Sequence, residues 1–125
     1  MNNEPAFKEY IFLVRVPENY LPEEAQEAQP LWADLVETWK ATGNFVSSFI
    51  FPSDGCLVKG PEKTIIRGTV ICDQYRLVST LILLAADEEA AQALAKSCPV
   101  LAQGGMIEVK ELRARAATVA NPVRP

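Results

Sequence analysis

The stretch 79–112 constrains the fold of this chain more than any other part of the sequence. It begins with an apolar run at 81–84, which is typical of a strand buried on both faces. Asp87 then stands at a helix N-cap position, and the acids at 88 and 89 suit the positive end of a helix. The helix carries one apolar stripe, made of Ala91, Leu94, Ala95 and Cys98.

Pro99 predicts the end of that helix, because the residue before a proline is pushed out of the α region. Two glycines at 104–105 then allow a tight turn. Apolar and charged residues alternate over 107–110, which predicts a strand with one solvent-facing side. The whole stretch therefore predicts strand, helix, turn and strand.

The amino-terminal half predicts the same order. The segment 7–15 (FKEYIFLVR) is apolar on both sides, which is typical of a central strand. A helix is predicted from Pro22 to a stop at 43–44, and Pro30 should either kink it or mark its true start. A strand at 45–51, two short hairpin strands at 56–58 and 64–66, and a polar loop at 73–76 follow. The run 70–72 is interpreted as a continuation of the second hairpin strand.

These elements predict an α+β domain with the ferredoxin-like order βαββαβ and an extra hairpin. Its antiparallel sheet would carry two helices on one face. Because the central strands are apolar on both sides, the second face needs a cover, and a second copy of the chain is the simplest one. We therefore expect a homodimer through the open sheet face, with residues 1–6 a flexible leader, 7–113 the domain, and 114–125 an extended or disordered tail.

Composition narrows the function classes. With 125 residues the chain is long enough for one domain, and its net charge of −4 argues against nucleic acid as a partner. No apolar run approaches a membrane span and no signal peptide is evident, so we expect no membrane partner and a cytoplasmic location. The three cysteines lack metal spacing, and the absence of histidine removes Ser-His and Cys-His nucleophiles and histidine-bound metals. No metal and no cofactor are predicted.

The carboxy-terminal half resembles the YciI-related (DGPF-domain) family of the dimeric α/β-barrel superfamily. The resemblance is carried by Ala86-Asp87, Ala95-Lys96, Cys98-Pro99, Gly104-Gly105 and Glu108-Val109, and with the amino-terminal elements it covers about residues 7–113. It implies two protomers packed sheet to sheet, each with a pocket between sheet and helices. The residues nearest to the DGPF motif are Asp73-Gln74-Tyr75, and a His-Asp pair proposed as catalytic in some relatives has no counterpart in a chain without histidine.

Two arginines and one loop are the candidate polar sites. Arg15 and Arg67 each end an apolar strand, where a guanidinium either binds a ligand carboxylate or forms an ion pair at a surface or interface, the commoner case. Asp73, Tyr75 and Arg76 come together before the buried strand, where an acid and a phenol could move a proton and Arg76 could bind a ligand. The alternative for this group is a solvated turn.

Three further side chains have a structural and a functional interpretation. Trp32 and Trp39 lie on one helical face, where they either wall an aromatic pocket or, more simply, pack in the core. Cys98 is interpreted as a small buried hydrophobe rather than a nucleophile. Asp34 is assigned no role.

Three functions compete on this basis. The first is a YciI-like dimer that binds a small molecule and has no assigned activity. The second is a cofactor-independent lyase, isomerase or monooxygenase acting on a small molecule, aromatic ones included, with Asp73 or Tyr75 as catalytic groups. The third is a dimer that serves the assembly of another protein, which would require a large exposed apolar patch.

Overall fold

The computed structural model describes residues 7–114, so the predicted leader and all but the first residue of the predicted tail lie outside the described residues. The elements follow one another as β1 (Lys8–Pro17), α1 (Pro22–Ala41), β2 (Phe45–Ile50), β3 (Cys56–Lys59), β4 (Thr64–Arg67), β5 (Ile71–Cys72), β6 (Tyr75–Ala85), α2 (Glu88–Ala95), a 3-10 helix (Pro99–Gln103) and β7 (Met106–Leu112). The predicted α+β class is confirmed.

The main sheet has the order β2-β6-β1-β7, and every neighbouring pair is antiparallel. The short strand β5 extends the β2 edge, because it also pairs with the beginning of β6. This order is consistent with a ferredoxin-like sheet, in which the first and third main strands are central. The hairpin β3–β4 forms a separate two-stranded sheet.

Both helices pack on one face of the sheet, which we call the helix face. Alternate residues of β1 supply its centre, and they are almost completely buried: Tyr10, Phe12, Val14 and Val16. Leu81 and Leu83 of β6 lie opposite Phe12 and Tyr10, and Trp39 of α1 meets the Phe12 ring edge to face, with centroids 6.2 Å apart. The core therefore lies between the helices and the two central strands.

The helix α1 begins at Pro22 and continues through Pro30, so the expectation that Pro30 marks its start is wrong. A proline removes the hydrogen bond to the carbonyl four residues earlier. That carbonyl belongs to Gln26, and both residues are exposed, so water can replace the lost donor.

The second helix ends at Ala95, which is earlier than the apolar stripe predicts. Asp87 caps its beginning as expected, since the Asp87 carboxylate accepts a hydrogen bond from the Ala90 amide at 2.9 Å. Cys98 lies beyond the helix in extended backbone, because it precedes Pro99. Its side chain nevertheless stays buried in the core, as the sequence predicts.

The polar segment 73–76 is not a loop throughout. Asp73 and Gln74 form a two-residue turn with φ of 56° and 67°, the geometry that joins tightly twisted hairpin strands. Tyr75 and Arg76 are already the first residues of β6, and Ile71–Cys72 pairs with them rather than continuing β4. The predicted extension of the hairpin strand through 70–72 is therefore wrong.

Candidate functional site

The face of the sheet opposite the helices, which we call the open face, is largely apolar. The register places Ile11 and Leu13 of β1 beside Ile82 and Thr80 of β6 on this face. All four side chains are buried or half-buried, and Ile11, Leu13 and Ile82 are not among the residues that form or pack against the core under the helices. A largely apolar face is unusual in a sheet that faces water.

One ion-pair group lies across this face. The guanidinium of Arg15 donates to Glu108 on the neighbouring strand β7, and the Lys110 ammonium lies 3.0 Å from the other oxygen of the same carboxylate. Hydrogen bonds from Lys110 and from Arg15 lower the pKa of Glu108, so the carboxylate stays ionised. The position of Arg15 is thereby fixed at the edge of the apolar face. A guanidinium has five N–H groups, so donors remain for a ligand.

A β-bulge lies beside Arg15. Val14 pairs with Ser79, whereas Arg15 pairs with Leu77, so Val78 is an extra residue in β6. The Val78 carbonyl accepts a hydrogen bond from the Phe51 amide at 3.2 Å, which holds the end of β2 next to the bulge. Bulges of this type turn side chains and often stand next to functional sites.

A cavity of about 640 Å³ opens at this point, and we call it the open-face cavity. Its floor comes from Arg15 and Leu77 of the sheet. Its walls come from segment 51–57 and from Thr69, Val70 and Cys72. The lining is mainly apolar, with one guanidinium, the Asp54 carboxylate and a few hydroxyl and thiol groups. Such a lining suits a molecule with an apolar body and one charged group.

The sequence-predicted site residues are dispersed in the structure. Arg15 lines the open-face cavity, while Arg67 is exposed on β4 opposite Cys56. Asp73 is exposed in its turn, and Tyr75 and Arg76 are half-buried at the beginning of β6. None of these last four is among the residues that line the open-face cavity. Their predicted roles stay predictions.

The two tryptophans occupy different surroundings. Trp39 is buried against Phe12, whereas Trp32 is half-buried and lines a cavity of about 130 Å³ between α1 and the edge of the sheet. The pocket implied between sheet and helices thus has a counterpart, but it is much smaller than the open-face cavity. Sequence reasoning missed Asp54, Cys56 and Thr69, because they lie in turns and short hairpin strands without a periodic pattern.

Cys98 should react with a thiol reagent only after the protein unfolds. Burial raises the pKa of its thiol to about 12, from an ordinary value of 9.0, so about a thousandfold fewer thiolates are available for attack. Cys56 and Cys72 are exposed. Timed labelling with a chromogenic disulfide under native and denaturing conditions would measure this, and the slow thiol should disappear in Cys98→Ala. Three equally fast thiols in the native protein would contradict it.

Neither the comparison of the sequence with models of known protein families nor its comparison with curated proteins finds a match. The resemblance to the YciI-related family therefore stays a prediction. Within residues 7–114, no helix is both long and apolar enough to cross a membrane. The same part of the chain contains no group of three or more cysteine, aspartate or glutamate side chains placed to hold a metal ion.

Proposed function

We propose that this chain binds a small molecule, with an apolar body and a carboxylate, in the open-face cavity. The observation that carries the proposal is the position of Arg15 in the floor of a cavity that is otherwise mainly apolar. Arginine binds carboxylates through two parallel hydrogen bonds, and it does so best where water is partly excluded. The volume of about 640 Å³ lies in the ordinary range for small-molecule sites.

In this proposal the protein is a homodimer of the YciI-related type, in which the open faces of the two protomers pack against each other. The apolar composition of that face supports this, and so does its charge. Glu9 and Glu108 share the face with Arg15 and Lys110, so the face is electrically neutral although the chain carries −4. Two copies of a neutral apolar face can meet without repulsion. The open-face cavity would then be covered by the second protomer.

Binding is favoured over catalysis by the positions of the predicted catalytic groups. Asp73 lies in an exposed turn, and Tyr75 is not among the cavity-lining residues. An acid–base reaction needs its groups within hydrogen-bond reach of the ligand. The enzyme hypothesis therefore lacks a geometric argument.

A panel of small aromatic and aliphatic carboxylic acids should contain members that raise the melting temperature of the protein. Ligand at a hundred times its dissociation constant adds about 2.7 kcal/mol to the free energy of unfolding, which corresponds to several degrees. The shift should be lost in Arg15→Gln, because glutamine can still hydrogen-bond Glu108 but carries no charge. Thermal scanning of both proteins against the same panel measures this.

Arg67→Ala is the matched control, since Arg67 is exposed on the hairpin. A shift that survives Arg15→Gln but disappears in Arg67→Ala would move the site away from the open-face cavity. No shift across the panel would contradict carboxylate binding. Separately, a wild-type chain that stays monomeric at micromolar concentration would contradict the dimer.

A further inference from the structure

Within residues 7–114, the hairpin β3–β4, which we call the arm (residues 56–67), is held to its surroundings only at its base. Its strands pair with each other and with no strand of the main sheet. At the base, the Gly68 amide donates to the Gly55 carbonyl at 2.9 Å, and Leu57 lines the open-face cavity. An isolated two-stranded hairpin is marginally stable in water. The arm therefore lacks the support that such a hairpin needs.

The two central cross-strand pairs of the arm are apolar, one on each face. Leu57 lies opposite Ile66, and on the other face Val58 lies opposite Ile65. Val58 and Ile65 are each 68% exposed. A solvated hairpin would normally have a polar pair at one of these two central positions. A pair of β-branched side chains at this exposure indicates a surface that becomes covered.

We infer that the arm of each protomer packs against the open face of the other protomer, an inference that rests on the homodimer proposed above. One chain carries both surfaces, an uncovered apolar arm and an uncovered apolar sheet face. A two-fold axis makes the two contacts equivalent. The arm of each protomer then covers the open face of the other, and all four apolar surfaces are covered in one dimer.

The dimensions agree with this arrangement. Four strands about 4.8 Å apart and about seven residues long give a sheet face of roughly 450 Å². A stable interface covers about 800 Å² of accessible surface on each partner, and the arm adds apolar surface to that of the sheet face. Each arm strand of four residues spans about 13 Å, which exceeds the roughly 10 Å between packed sheets. The arm is therefore long enough to reach the second sheet and to enlarge the interface.

Charge also favours a second copy as the occupant. The arm holds three of the chain's twelve basic residues (Lys59, Lys63, Arg67) and one of its sixteen acidic ones (Glu62). The arm thus carries +2 and the remainder of the chain −6. The charge of the arm is therefore opposite in sign to that of the remainder of a second copy, which favours contact between the arm and that copy.

The test replaces the exposed apolar pair of the arm. In Val58→Lys/Ile65→Glu the cross-strand pair becomes an ion pair, which preserves the hairpin while it removes the apolar contact. Sedimentation of wild type and variant over a concentration series should show the dimer dissociation constant raised about a hundredfold or more. Leu31→Glu, at a site 56% exposed on α1, should leave the dissociation constant unchanged.

A third variant separates this inference from the dimer itself. Ile82→Lys charges the open face and should give monomers. If Ile82→Lys dissociates the dimer while Val58→Lys/Ile65→Glu does not, the result supports the dimer and contradicts the proposed contact of the arm. A monomeric wild type would contradict both the dimer and the contact of the arm. In wild type, the arm amides should exchange slowly with deuterium above the dissociation constant and rapidly below it; equal rates at both concentrations would overturn the inference even if the arm variant failed to fold.

Discussion

Phe12→Ala should lower the free energy of unfolding by about 3–5 kcal/mol. Phe12 has no exposed surface, and its neighbours across the sheet are Leu81 and Val109. Truncation would leave a cavity that these rigid strands cannot close, and it would remove the edge-to-face contact with Trp39. Domains of this size have only about 5–15 kcal/mol to lose, so a large share of the stability depends on this one ring.

Urea unfolding followed by circular dichroism would measure the loss, at one fixed protein concentration because dimerisation adds to apparent stability. Phe7→Ala is the matched control, since Phe7 is 63% exposed and its truncation should cost less than about 0.5 kcal/mol. Similar losses in the two variants would mean that the helix face of β1 is not the centre of the core.

The central layer of the fold could be predicted because its residues repeat with a simple period. Tyr10, Phe12 and Val14 alternate with Ile11 and Leu13, and in a strand that pattern means two covered faces. The first set packs under the helices. Local periodicity does not show what covers the second set, so the homodimer remains a proposal.

The turn at 73–74 shows why the beginning of β6 was misplaced. A two-residue turn with positive φ at both positions is usually signalled by Asn-Gly or Asp-Gly, and Gln74 stands where the glycine is expected. Tertiary pairing of Tyr75 with Pro17 and Cys72 imposes the strand instead. Local composition favoured a loop because it does not contain that pairing.

The candidate site was predictable only in part for the same reason. Arg15 stands out in the sequence because it ends a strongly apolar strand. The walls of the open-face cavity come from segment 51–57 and from residues 69–72, which are distant in sequence from Arg15. Their approach depends on the bulge at Val78 and on its hydrogen bond to Phe51. No pattern in the sequence marks a bulge of this kind.

Gly105→Ala should be the most damaging single-methyl addition among the glycines of the described chain, with a loss of about 3 kcal/mol, the upper end of the range for overpacking. An added Cβ would lie 2.5 Å from Cγ2 of Val100 and 2.7 Å from the carbonyl oxygen of Arg15. Val100 is buried and the second contact is backbone of the central strand, so neither can move aside easily. The 3-10 helix would have to separate from β1 next to the open-face cavity.

Gly60→Ala separates this steric cost from backbone strain. Gly60 has φ of +78° and nothing within 4 Å of an added Cβ. Alanine there should lower the free energy of unfolding only by the cost of a left-handed backbone, about 1–2 kcal/mol. Urea unfolding should therefore rank Gly105→Ala below Gly60→Ala in stability. Val100→Ala should restore only part of the loss in a Gly105→Ala background, because the Arg15 carbonyl still lies in the way. Full restoration would show that Val100 alone excludes a side chain at 105, and the reverse ranking would show that β1 and the 3-10 helix are less tightly packed than the 2.7 Å approach requires.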